Sequence, residues 1–93
     1  MRELRLDEFS GREGQSFEVV RGERTLPFTL TKVQPLPGSM AGREAFKLEW
    51  LGPYEPVLEQ ATYTFRLDDE SVEIFIVATG RDRDGVQYEA VFN

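Results

Sequence analysis

The stretch Asp82-Arg83-Asp84-Gly85 is where this chain comes nearest to a motif with chemistry of its own. A calcium loop of the EF-hand type needs D-x-[DN]-x-[DN]-G followed by a chelating glutamate. Aligned on Gly85, the first position falls on Gly80 and the last on Val91, and neither side chain carries an oxygen. The stretch therefore reads as a hairpin turn whose charges face water. Asp68-Asp69-Glu70 is a second acidic run. Its oxygens could hold a cation weakly, but no further ligand converges on them in sequence. No metal site is expected.

Acid–base work by a carboxylate pair, as in glycoside hydrolysis, has many raw candidates among the twelve glutamates. The conspicuous ones, Glu18, Glu49, Glu73 and Glu89, alternate onto outward strand faces, away from any shared cleft. Ser10, Ser16, Ser39 and Ser71 have no histidine to activate them, because the chain contains none, and only Lys32 and Lys47 could replace it. The absence of cysteine removes thiolate chemistry and disulfides. The glycine-bearing segments GREG (Gly11 to Gly14) and PGSMAG (Pro37 to Gly42) match neither a Walker nor a Rossmann phosphate cradle. No catalytic residue and no cofactor site emerges, and the expectation is a protein that is not an enzyme.

Any site must be carried by a single domain spanning residues 1–93, long enough for one hydrophobic core without cross-links. The net charge of −6 and an isoelectric point near 4.6 oppose a general nucleic-acid binder, which needs a basic stripe. They equally oppose docking on anionic lipid. The longest wholly apolar run, Ile74 to Ala78, is far too short to span a membrane. The opening MRELRLDEF lacks the apolar core of a signal peptide. A cytoplasmic protein is expected, and a cysteine-free chain fits a reducing compartment.

The elements read as strands. In ATYTFRL (Ala61 to Leu67) and VQYEAVFN (Val86 to Asn93), apolar and polar residues alternate with the period of a half-buried strand. Between them, Val72, Ile74, Ile76 and Ala78 form one apolar face, while Phe75 and Val77 are apolar on the other. A strand apolar on both faces is usually covered on both. A three-residue loop Arg83-Asp84-Gly85, with Gly85 left-handed, would close a meander. That register sets Ala78 opposite Ala90, Ile76 opposite Phe92 and Val77 opposite Val91.

Upstream, Ser16 to Arg21 and Arg24 to Gln34 are strands joined by a type II′ turn at Gly22-Glu23. Pro27 marks an edge position or a bulge, and the phase slip between Leu30 and Val33 asks for a bulge near Thr31-Lys32. Ala45 to Leu51 is a further strand, lying between the loops Pro35–Glu44 and Gly52–Gln60. Leu6 to Phe9 is one helical turn, stopped by Ser10-Gly11. About six short strands without a longer helix point to an all-β fold, a small antiparallel barrel. Phe28, Phe46, Trp50, Phe65, Ile74, Ile76, Tyr88 and Phe92 are its expected core.

The C-terminal half resembles a known family. The runs REAFKLEWLGP (Arg43 to Pro53), LEQATYTF (Leu58 to Phe65) and VEIFIVATGRDRDGVQYEAVFN (Val72 to Asn93) are similar to a family of small, single-domain, all-β bacterial proteins of unknown function. PLPG (Pro35 to Gly38) fits the same pattern, and the closing YEAVFN is its most specific part. The resemblance implies no activity and no catalytic residues. It implies genes often placed near those of phage-tail-collar-like proteins, hence a protein-interaction or assembly-accessory role. A small-ligand-binding barrel, with the loops Pro35–Glu44 and Gly52–Gln60 around its mouth, is the alternative, and a carboxylate-based hydrolase a third. A partner surface, for another protein or for self-association, is expected at Phe75, Val77 and Val91, with Trp50 and Tyr54 as further aromatic anchors. Either that surface meets a second chain, or Leu6 and Phe9 lie over Phe75 and Val77 as a lid; the lid is the favoured expectation.

Overall fold

The computed structural model of the chain describes residues 3–37 and 45–93. Six strands, β1 (Ser16–Arg21), β2 (Arg24–Pro35), β3 (Phe46–Gly52), β4 (Ala61–Leu67), β5 (Glu70–Asp82) and β6 (Gly85–Phe92), follow one 3-10 turn at Leu6–Glu8. All pair antiparallel and close into a barrel in the order β1-β2-β3-β6-β5-β4. Closure leaves no strand at the end of the order to recruit another chain.

Two long strands make the closure possible. β2 pairs through Arg24–Thr29 with β1 and through Thr29–Pro35 with β3. β5 pairs through Glu70–Ile76 with β4 and through Val77–Asp82 with β6. Each long strand shifts register once, at Thr31 in β2 and at Thr79 in β5. An extra residue bends a strand and increases its local twist, so both bulges fall where one strand must turn from one neighbour to the next. The Thr31 bulge lies where the phase of Leu30 and Val33 asks for it. Pro27 is a partner of Glu18 on the β1 side, and pairing with β3 begins only at Thr29, so its missing N–H falls on a local edge. The halves β1-β2-β3 and β4-β5-β6 share connectivity, although no repeat is visible in sequence.

The β5–β6 hairpin differs from the sequence reading. The loop is two residues, Arg83-Asp84, with Asp82 opposite Gly85, and β5 continues through Gly80 and Arg81 to Asp82 rather than ending at Thr79. Asp82 stabilises this tight form by accepting the Asp84 N–H at 2.9 Å, an Asx-type bond. The bulge then moves the register again, and the Thr79 hydroxyl bridges it to the Gln87 carbonyl at 3.3 Å. Ala78 thus faces Tyr88, and Val77 faces Glu89 instead of Val91. Gly85 has φ 142 rather than a left-handed helical angle.

The interior is filled with rings. Phe28 stacks on Tyr88 at 4.8 Å and meets Phe65 edge-on at 5.7 Å, while Trp50 lies 4.8 Å from Phe65. Of the expected core, seven members are essentially inaccessible; Phe92 is half-buried and stacks on Phe46 at 4.5 Å.

Two segments outside the sheet plug the barrel ends. Phe9, preceding β1, is 1% exposed and packs against Phe17, Phe46 and Trp50. Leu58, preceding β4, is buried and donates its N–H to the Tyr88 hydroxyl at 2.8 Å. Because β1 and β4 run antiparallel, their starts, and so the two plugs, lie at opposite ends. Burial raises the Tyr88 phenol pKa above its ordinary value, and the bond from Leu58 pulls it partly back. A raised phenol pKa gives stability that is present below the unfolded value and lost as pH rises through the folded one. Stability should therefore fall in strongly alkaline solution, and Tyr88→Phe should abolish that fall. The same variant leaves the Leu58 N–H without its acceptor and should cost about 1–3 kcal/mol at neutral pH, measurable by denaturant titration.

Candidate functional site

The outer face of β5 and β6 holds the large apolar side chains that the strands leave exposed to solvent among the described residues. Strand alternation turns Val72, Ile74 and Ile76 inward and Glu73, Phe75 and Val77 outward. Phe75 is 50% exposed and Val91 49%, with Val77 half-buried. Val77 and Glu89 are the last ladder partners of β5 and β6, and beyond them Phe75 and Val91 both face outward from their own strands. Thr62 of β4 lies opposite Phe75, and Lys47 of β3 opposite Val91.

Carboxylates border these apolar groups. Glu73 accepts a 2.6 Å hydrogen bond from the Thr64 hydroxyl. Glu49 and Glu89 are direct cross-strand partners, an arrangement that repels. Lys47 at 3.2 Å and Lys32 at 4.0 Å offset the Glu49 charge. The face is thus apolar at its centre and acidic at its rim. The Lys47–Glu49 pair is partly buried, with the two side chains 25% and 37% exposed.

The N-terminal lid does not cover it. The N–H of Gly14 donates to the Leu30 carbonyl at 2.7 Å and Leu30 returns a bond to Gln15 at 3.0 Å, which directs the preceding residues to the barrel end. Arg12 reaches the β4–β5 turn there, donating from both terminal nitrogens to the Asp68 carboxylate at 3.0 Å. That pairing lowers the Asp68 pKa. Phe9 is consequently a plug, Leu6 packs beside the core, and Phe75 stays open.

The remaining anchors separate. Trp50 is 1% exposed inside the barrel, so it belongs to the core and not to a partner surface; its indole N–H has no hydrogen-bond partner among the described residues. Tyr54 is half-exposed at the other end of β3. Arg81 lies over its ring at 3.7 Å, donates to its carbonyl at 3.1 Å and reaches Glu55 at 3.4 Å. With Asp82 and Arg83 these two residues line a shallow open cleft. No sequence signal pairs Tyr54 with Arg81, because the extension of β5 past its bulge brings them together.

The loops expected to rim one mouth lie at opposite ends, since β3 runs from one to the other. Residues 38–44 of the first lie outside the described residues.

Residues 4–92 match a family described as a domain of unknown function, DUF6916. The chain belongs to this family. The assignment covers the N-terminal plug as well as the whole DUF6916 barrel. Neither a curated protein nor a solved structure matches the chain. Among the described residues, no helix is long and apolar enough to cross a membrane.

Proposed function

We propose that this DUF6916 chain is a non-enzymatic protein-interaction or assembly-accessory module of the bacterial cytoplasm. The barrel serves as a rigid scaffold, and the outer face bearing Phe75, Val77 and Val91 meets a protein partner or a second copy. The observation that carries this reading is the contrast between inside and outside. Aromatic rings in mutual contact occupy the interior, while Phe75 and Val91 stand half-exposed on regular strands. An apolar centre with a polar rim is the anatomy of a protein interface. The small-ligand alternative would need the interior space those rings take up. The resemblance of the C-terminal runs to proteins encoded near tail-collar genes supports a part in assembling a phage-tail-like structure.

The test is Phe75→Asp. A surface change of this kind should leave the denaturant midpoint within about 0.5 kcal/mol of wild type. Sedimentation of the purified chain and capture from extracts of the native host should then show self-association or a specific partner lost in the variant. Identical sedimentation and identical capture would sink the reading.

A further inference from the structure

We infer that the N-terminal arm, residues 3–13, is an exchangeable plug, and that the barrel end it fills docks the same arm of a second copy of this chain. The arm is built as a separate unit. Among the described residues, its backbone hydrogen bonds run from Glu8 to Arg5, from Phe9 and Ser10 to Leu6 and from Arg12 to Phe9, with one more from Gln15 to Arg12 where the connection begins. Among the described residues, the first backbone bond to a strand comes only at Gly14. Side chains hold the arm to the barrel, with Leu4 and Phe9 in the core and Arg12 on Asp68.

The connection to β1, closed by the Gln15 N–H on the Arg12 carbonyl at 2.9 Å, would serve as the hinge. Gly11 and Gly14 have φ of +82 and +90, with open space where a side chain would stand. Glycine crosses between such angles and ordinary ones without steric penalty. The socket does not depend on the arm for its position, because Phe17 stands on β1 and Phe46 and Trp50 on β3. An arm from a second copy would bury the same ring and meet the same Asp68. Exchange of an identical element changes few contacts. Concentration then sets the balance against the tether's own effective concentration, on the order of millimolar for a short linker.

This inference stands apart from the outer face, and the test keeps the two separate. The chain has no cysteine, so thiols can be placed freely. The full-length Arg12→Cys and Asp68→Cys variants, carrying different tags, are refolded together at a concentration on the order of 1 mM and treated with a short bis-maleimide. The expected product is a covalent heterodimer, several-fold above that from Arg12→Cys mixed with Glu23→Cys, whose thiol lies in the turn at the far barrel end. The double variant Arg12→Cys/Asp68→Cys, folded dilute, should cross-link within one chain. Adding Phe75→Asp to both single variants should leave the heterodimer yield unchanged. Mixed singles no better than the control, with cross-linking confined to the double variant, overturn the inference. So does a double variant that fails to cross-link, or a heterodimer that disappears with Phe75→Asp.

Discussion

Phe65→Ala should lose about 3–5 kcal/mol of stability, the range for emptying a packed aromatic site. Phe65 is 1% exposed and lies at the centre of the ring cluster, touching both Phe28 and Trp50. Its backbone also sits in the weakest closure of the barrel. β1 and β4 share only two residue pairs, Val19 with Phe65 and Val20 with Thr64. An ion pair beside that seam, Arg66 with Glu18 at 3.8 Å, is largely exposed and adds little. The cavity would thus open beside the seam with least ladder to hold it. For a domain of this size each kcal/mol lowers the melting temperature by about 4–8 °C, so calorimetry and denaturant melts should both register the change. A loss below about 1 kcal/mol would mean that the neighbouring rings close over the space freely, contrary to the packing described.

Gly85→Ala should be nearly as damaging, through overlap instead of a void. A Cβ on Gly85 would run into the Gly52 carbonyl oxygen and approach the Leu51 side chain to 3.2 Å, and φ 142 is strained for any side chain. Gly52 cannot retreat easily, because the Phe28 ring packs so closely on it that a Cβ there would lie 2.7 Å from the ring. Backbone strain and overpacking each cost about 1–3 kcal/mol, so a combined loss of about 3 kcal/mol or more is expected. Asp84→Gly, at the neighbouring turn position, should be tolerated, because Asp84 contributes its backbone N–H and not its carboxylate to the turn. Equal melting curves for Gly85→Ala and wild type would show that β3 and β6 can separate at this end without consequence.

Alternation alone determined much of this protein. Val72, Ile74 and Ile76 read as inward and Phe75 as outward because successive strand residues point to opposite faces, a rule that needs no knowledge of neighbours. The Leu30–Val33 phase slip located the Thr31 bulge on the same ground. The missing histidine and cysteine narrowed the chemistry before any fold was known. Tertiary structure decided what alternation does not encode. Gly85 signals a turn, but whether the loop holds two residues or three depends on the Asp82 carboxylate bond and on the close approach of Gly52 across the sheet. That difference, followed by the Thr79 bulge, moved Val77 from Val91 to Glu89. Leu6 and Phe9 were visible as apolar residues in a charged segment, but their destination was not. An apolar side chain carries no address; the Gly14–Leu30 bond and the Arg12–Asp68 pair, both long-range, sent Phe9 to the barrel end and left Phe75 open.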